Sequence, residues 1–184
     1  MKKQKTRITR TVALTGIFGA VALTLSFFEK FMLAALPLPP GVKPGLSNIA
    51  VLFTLSSFGL PYAMGIVAIK SFFSLLISGP TAALLSLCGG ICSCFAMFLL
   101  LKIKKNGLSY TGISVVSAVL HNIGQLAAAS AVTGTSLFRA YLPVLLISGI
   151  IFGAVTGILL NAVLPALEKL NNKIFSTHSG TERG

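Results

Sequence analysis

The chain contains the uncharged stretch SFFSLLISGPTAALLSLCGGICSCFAMFLLL at residues 71–101. A run of more than about 18 residues without Asp, Glu, Lys or Arg is long enough to cross the ~30 Å hydrocarbon layer of a bilayer as a helix. This run exceeds that length, and it contains Gly79-Pro80, a pair that interrupts helices. It therefore predicts two membrane helices separated at that pair.

Other long stretches of the chain share this uncharged character, and Pro and Gly residues divide them in the same way. The resulting prediction is an all-α integral membrane protein with a bundle of six transmembrane helices, at residues 11–28, 44–60, 61–78, 80–101, 108–132 and 137–164. Pro44 suits the first turn of the second helix, where its missing N–H costs nothing. Pro61 limits that helix, although a kink at Pro61 within one longer helix is an alternative.

Composition leaves room for one membrane domain and no separate soluble one. The chain has 184 residues, 54% of them hydrophobic, and a mean hydropathy of +0.91. We expect a basic arm at residues 1–10, a membrane domain at 11–168 and a tail at 169–184. The N-terminus resembles a signal peptide, but the apolar stretch from Thr11 to Phe28 exceeds the usual length and no A-x-A site follows it. It is interpreted as an uncleaved first helix.

The cations predict the orientation. The chain has 15 Lys and Arg against three acidic residues, for a net charge of +12. Because the cations lie at the ends of apolar segments rather than along one basic helix, they indicate membrane topology rather than nucleic-acid binding. Eleven fall on one side of a six-helix bundle, namely Lys2, Lys3, Lys5, Arg7, Arg10, Lys102, Lys104, Lys105, Lys169, Lys173 and Arg183. The positive-inside rule then predicts a multi-pass protein of the bacterial cytoplasmic (inner) membrane, in contact with its lipids, with both termini cytoplasmic.

Small residues recur at helical spacing. Gly149, Gly153 and Gly157 form G-x-x-x-G-x-x-x-G on the sixth predicted helix, and Gly16 and Ala20 form a shorter version on the first. Such spacing favours close helix packing, either within the bundle or against a partner subunit. Cys88, Cys92 and Cys94 are interpreted in the same way, as packing residues rather than metal ligands, because no His or acid accompanies them in their run.

Few polar residues remain inside the predicted membrane segments, and their depths agree. With about 1.5 Å of rise per residue, those on the first, second, third and fifth helices all fall in the middle to outer half. We therefore predict one outward-facing cavity whose ligand-binding residues are Glu29, Lys43, Asn48, Lys70, His121, Asn122 and Gln125.

The chemistry of this set favours a polar organic ligand. A lone Lys in hydrocarbon costs a few kcal/mol, so Lys70 needs a partner, a carbonyl-lined break or water. Glu29 is the natural counter-ion for one of the four cations predicted on or near the outer side, which are Lys30, Lys43, Lys70 and Arg139. The excess of cations favours an anionic or carbonyl-rich ligand, and the amide and imidazole groups suit a flavin, quinone head or vitamin. The alternative is that Lys70 snorkels and the other side chains only bond neighbouring helices.

Three motifs then suggest a family. The segment PPGVKPGLSN at residues 39–48 fits K-x-G-L-x-N, HNIGQ at 121–125 fits H-N-x-G-Q, and LPVLL at 142–146 fits L-P-x-L-L. With Glu29 and residues 86–90, they resemble the Gx transporter family, also labelled heptaprenyl diphosphate synthase component I, over about residues 8–168. Pro44 and Lys70 depart from the expected pattern. A small or apolar residue is expected in place of Pro44, and an arginine is expected in place of Lys70. A bidentate guanidinium contact is therefore lost at position 70.

The resemblance implies a fold similar to the substrate-binding S components of energy-coupling factor transporters, with the ligand under the first loop on the outer side. In such folds a surface of small residues on the first helix docks a coupling subunit, which makes Ala13, Gly16 and Ala20 candidate partner-binding residues. More loosely, the resemblance implies an association with flavin- and quinone-based extracellular electron transfer.

The synthase label does not fit a catalytic role for this chain. Prenyl-chain synthesis holds Mg²⁺ on diphosphate through paired Asp-rich motifs, and this sequence contains no Asp. It also contains no phosphate-binding G-x-x-x-x-G-K-[ST] and no haem or iron–sulfur cysteine spacing. We therefore expect no catalytic residue, metal or cofactor. The hypotheses are a non-catalytic solute-binding or transport component working with an energy-coupling module, an accessory subunit of an electron-transfer system, and an accessory subunit of a prenyl synthase.

Overall fold

The computed structural model describes residues 2–35, 45–103, 109–134 and 138–176, and every regular element within them is an α-helix. The five helices are α1 (Lys2–Ala35), α2 (Asn48–Phe58), α3 (Leu60–Ile103), α4 (Tyr110–Thr133) and α5 (Phe138–Ser176). All except α2 contain a stretch long and apolar enough to cross a membrane. Because α2 has 11 residues, it is about 16 Å long and cannot span a bilayer alone.

The third helix is broken at Gly79. Its φ of 84° and ψ of −179° are not helical, and glycine adopts that positive φ without the steric cost of a Cβ. The arms at residues 60–78 and 80–103 pack on each other, since a Cβ added to Gly90 would lie 2.6 Å from Cγ1 of Val67. The break predicted at Gly79-Pro80 is therefore present. The count of six helices is not supported, because the predicted third and fourth helices are two arms of α3.

A second break separates α2 from α3 at Gly59, which has φ 93° and ψ 178°. Leu60 begins α3, and Pro61 lies in its first turn, where a missing N–H is tolerated. The alternative of one longer helix kinked at Pro61 is therefore wrong. The second helix was predicted to begin at residue 44, but α2 begins four residues later, at Asn48. Pro44 lies outside the described residues.

Helix α2 lies at the centre of the bundle. Its residues Val51, Leu52 and Phe53 are at most 2% exposed, and Phe18 of α1 packs on Phe53 with ring centroids 4.6 Å apart. The same core cluster contains buried side chains from both arms of α3, from α4 and from α5, including Ile66, Met97, Ile113 and Leu160. The short helix thus packs among α1, α3 and α5.

The glycine motif of α5 packs against α4. A Cβ added to each of its three glycines would lie close to the α4 backbone, at 3.3 Å from Cα of Val119 for Gly149, 2.7 Å from Cα of Val115 for Gly153 and 2.5 Å from Cα of Thr111 for Gly157. The regular four-residue spacing on both helices shows that they run antiparallel. The glycine motif therefore packs within the bundle, which was one of the two roles that the sequence left open, the other being contact with a partner subunit.

The side chain of Cys92 and the backbone of Cys88 lie against Gly124 of α4, which agrees with a packing role for Cys92. A Cβ added to Gly124 of α4 would lie 2.8 Å from Sγ of Cys92 and 3.0 Å from the carbonyl oxygen of Cys88. The close approach of α4 to the second arm of α3 thus depends on a glycine on one helix and small side chains on the other.

The outer helices extend beyond their predicted ends. α1 includes most of the expected basic arm, and α5 continues to Ser176, past the start of the expected tail at residue 169. Neither Pro143 nor Pro165 ends α5. Charged residues mark where a helix leaves hydrocarbon, but they do not end it.

We predict that Gly157→Ala lowers the free energy of unfolding by about 1–3 kcal/mol, since the new methyl group overpacks against backbone atoms of α4. Gly65→Ala is the matched control, because a Cβ there meets no atom within 4 Å. Thermal unfolding in detergent should show a lower Tm for Gly157→Ala and an unchanged or higher Tm for Gly65→Ala. Equal Tm values for the two variants would contradict the packing of α5 on α4.

Candidate functional site

The start of α2 is fixed by Glu29 of α1. Gly45 has a φ of 74°, which turns the chain so that the N–H of Asn48 donates to the carbonyl of Gly45 at 2.9 Å. The N–H of Ser47 donates instead to Oε1 of Glu29 at 2.7 Å. Glu29 is only 5% exposed, and its carboxylate lies at the positive end of the helix dipole. The acid that was predicted as a counter-ion for one of the outer cations therefore accepts from the backbone at the start of a helix.

Lys70 of α3 contacts the first residue of α2. Its Nζ donates to Oδ1 of Asn48 at 3.1 Å, and the lysine is half-buried while Asn48 is buried. A cation at this depth needs a polar partner, and Asn48 is one. The bond also shows that α2 and the first arm of α3 run antiparallel, with Gly59 at the turn.

His121 of α4 is held through both ring nitrogens. Its Nε2 lies 3.0 Å from Nε2 of Gln125, and its Nδ1 lies 3.3 Å from Oγ of Ser93, which itself donates to the carbonyl of Gly90 at 3.0 Å. These roles agree if Gln125 donates to Nε2 and Nδ1–H donates to Ser93.

Asn122 connects α4 to α5. Its Nδ2 donates to the carbonyl of Leu145 at 2.8 Å, in a buried setting. The alternative that these polar side chains bond neighbouring helices therefore applies to the amide nitrogen of Asn122, which reaches α5, and to His121, which reaches Ser93 of α3. Gln125 bonds His121 on its own helix.

These side chains surround one cavity where α1, α2, both arms of α3 and α4 meet. It is lined by Ser26, Glu29, Lys30, Gly45, Ser47, Asn48, Lys70, Phe73, Ser74, Ser86, Ala118, His121 and Asn122. The cavity has a volume of about 50 Å³, which is enough for a few water molecules. Two lysines and one carboxylate give this lining a net positive charge.

Five of the seven predicted ligand-binding residues line this cavity, namely Glu29, Asn48, Lys70, His121 and Asn122. Gln125 does not line it, and Lys43 lies outside the described residues. The side chain of Arg139, another predicted partner for Glu29, also lies outside them.

Several lining residues were not in the predicted set. Lys30 contributes a second ammonium and donates to Oγ of Ser78 at 2.7 Å. Ser26 precedes Glu29 by three residues and Ser74 follows Lys70 by four, so helical spacing alone places each on the face of a predicted residue. That signal was present in the sequence. Of the remaining lining residues, Gly45 and Ser47 lie in the K-x-G-L-x-N segment and Ser86 lies in the stretch 86–90 that contributes to the family resemblance. Nothing in the sequence context of Phe73 and Ala118 marks them.

The small residues proposed for partner docking lie on the outside of α1. Ala13, Gly16 and Ala20 are all exposed, and a Cβ added to Gly16 meets no atom within 4 Å. This face is open in the structure, in contrast to the glycine face of α5.

The cavity presents hydrogen-bond donors and positive charge. Lys70 and Lys30 supply ammonium groups, and the positive end of the α2 dipole faces the same space through Ser47 and Asn48. Such an arrangement binds a carboxylate, a phosphate or a polarised carbonyl.

Comparison with known proteins gives one match. The family model for heptaprenyl diphosphate synthase component I matches residues 18–163, a range that includes every residue lining the cavity. Searches of curated proteins and of solved structures found no match.

We predict that Glu29→Ala lowers the free energy of unfolding by about 1–3 kcal/mol, because it leaves the buried N–H of Ser47 without its acceptor. Glu29→Gln keeps an acceptor oxygen and loses only the charge, so its effect should be smaller. Thermal unfolding of both variants in detergent measures the difference. If Glu29→Ala is no less stable than Glu29→Gln, the carboxylate does not hold the start of α2.

Proposed function

This chain belongs to the heptaprenyl diphosphate synthase component I family, and from that premise we propose that it is a non-catalytic membrane component that binds a small solute beside Lys70. The observation that carries the proposal is the bond from Lys70 to Asn48 at the start of α2, inside a polar cavity. A half-buried cation held at a helix N-terminus is costly for folding alone, and it suits an anionic ligand.

The solute class follows from the groups that face the cavity. Its donors favour a carboxylate, a phosphate or a carbonyl, as in an acidic vitamin or the polar head of a flavin or quinone. The space available is about 50 Å³, so the proposal concerns a charged or carbonyl group seated here. The rest of a larger solute would extend through the mouth of the cavity.

We propose an S-component-like arrangement with both termini cytoplasmic. Successive segments run antiparallel, since Glu29 contacts Ser47, Lys70 contacts Asn48, and Val67 approaches Gly90. An even number of antiparallel segments returns the end of α5 to the side on which α1 starts. The distribution of cations makes that side the cytoplasm. The bacterial inner membrane is the membrane proposed.

A partner must supply energy if the solute is transported. The sequence has no phosphate-binding loop of its own, and the exposed face of Ala13, Gly16 and Ala20 allows another helix to approach closely. We propose this face as the docking surface for an energy-coupling module.

A second candidate is an accessory membrane subunit of a heptaprenyl diphosphate synthase. The family description favours it, and the absence of Asp from the chain leaves the Mg²⁺ chemistry to another subunit. The association with flavin and quinone electron transfer depends on the motif resemblance alone. Copurification separates these roles, since the partners would be an energy-coupling module, an Asp-rich synthase or an FMN-binding protein.

We predict that Lys70→Met abolishes retention of a small-molecule ligand while the protein still folds, because the substitution removes the ammonium and its desolvation cost together. Lys70→Arg should retain the ligand at least in part, since it keeps the charge. Native mass spectrometry of the gently purified proteins, with a melting curve for each, measures both properties. A ligand retained equally by wild type and a folded Lys70→Met protein would contradict the site.

We predict that residues 39 and 106 lie on opposite sides of the membrane. Single cysteines at Pro39 and Asn106, in a protein whose three native cysteines are replaced, should react with an impermeant thiol reagent from the outside and the inside respectively. Labelling of both positions from the same side would reject the proposed orientation.

A further inference from the structure

A second cavity lies at the opposite end of α2. Its lining includes Leu55 and Gly59 near the end of α2, Phe98, Leu101 and Lys102 of the second arm of α3, and Tyr110 of α4. Its volume of about 340 Å³ falls within the range of small-molecule sites, roughly 300–1,000 Å³. The 11 residues of α2, about 16 Å of helix, separate it from the cavity beside Lys70.

The backbone on this wall of the cavity is not helical. Gly59 interrupts the helices with φ 93° and ψ 178°, and Pro61 has no N–H to donate to the carbonyl of Ser57 four residues earlier. Within a membrane protein, such a break is tolerated where it is buried in protein or borders a polar space. The carbonyls of Leu55 and Gly59 accept from the N–H groups of Gly59 and Ala63, so these backbone groups at the break are satisfied within the protein.

Lys102 gives the cavity its charge. Its Nζ lies 4.5 Å from the centroid of the Phe98 ring, a cation–π contact that holds the ammonium against the cavity wall. Among the described residues that line this space, Lys102 is the charged one.

The remaining surface is that of an amphiphile site. Leu55, Phe98 and Leu101 supply apolar wall, and the Tyr110 hydroxyl lies at the start of α4 beside the basic connection. A basic pocket between membrane helices, with apolar walls behind it, matches the phosphate and the first chain segments of an anionic lipid.

We propose that this cavity binds an anionic phospholipid of the surrounding membrane, with its phosphate against Lys102 and its first chain segments against Leu55, Phe98 and Leu101. Phosphatidylglycerol, which combines an anionic phosphate with apolar chains, is the probe for this site. The charge of the lining and the apolar walls select this occupant over a free anion, which makes no use of Leu55, Phe98 and Leu101.

The test is lipid-dependent unfolding of the purified full chain in detergent. Phosphatidylglycerol should raise the Tm of the wild type, and phosphatidylcholine should not. Lys102→Gln should raise the half-saturating lipid concentration about fivefold or more, which is about 1 kcal/mol. Lys102→Arg should bind as the wild type does. The matched control is Lys169→Gln, which removes an exposed lysine from α5 and should leave the response unchanged.

Three results would overturn the proposal. The first is an equal response of wild type, Lys102→Gln and Lys169→Gln to phosphatidylglycerol, which indicates non-specific attraction of anionic lipid. The second is an equal Tm shift with inorganic phosphate, which makes the ligand a free anion. The third is displacement of phosphatidylglycerol by equimolar farnesyl diphosphate with a larger Tm shift, which makes the ligand a prenyl diphosphate. None of these results bears on solute binding beside Lys70.

Discussion

The N-terminus of α2 lies inside the bundle. The first N–H groups of the helix have no acceptor within the helix itself, so other groups of the protein must accept from them there. In water the first N–H groups of a helix are hydrated, but within a membrane protein other groups have to satisfy them. Glu29 accepts from Ser47 at 2.7 Å, and the turn at Gly45 accepts from Asn48. The carboxylate that completes this helix end also lies in the wall of the cavity. The position of the site thus depends on where a short helix begins.

The few polar side chains around the cavity make different contacts. Asn122 uses its amide nitrogen to bond α5, and His121 has both ring nitrogens engaged with Ser93 and Gln125. Lys70 approaches the start of α2 from α3. The α4 side chains therefore form the rigid back of the cavity. The ammonium groups of Lys30 and Lys70 and the start of α2 form the positively charged part of the lining.

Much of this arrangement could be predicted from the sequence, because polar residues in a membrane segment are few and depth follows from rise per residue. That argument selected Glu29, Asn48, Lys70, His121 and Asn122, all of which line one cavity. It failed where hydropathy carries no information. Uncharged residues from 44 onward suit a helix equally well, so the start of α2 at Asn48 and the backbone partner of Glu29 were not predicted. The second cavity was missed because a lysine near a helix end is expected to face water.

A double-mutant cycle between Asn48 and Lys70 tests the central claim most directly. The free energy of unfolding in detergent is measured for the wild type, Asn48→Ala, Lys70→Met and the double variant. If the two side chains bond at the start of α2, the double variant loses less than the summed effects of the single substitutions, with a coupling energy of about 0.5–3 kcal/mol. Additive effects within about 0.3 kcal/mol would mean that Lys70 does not hold this helix end, and the account of the site would be wrong.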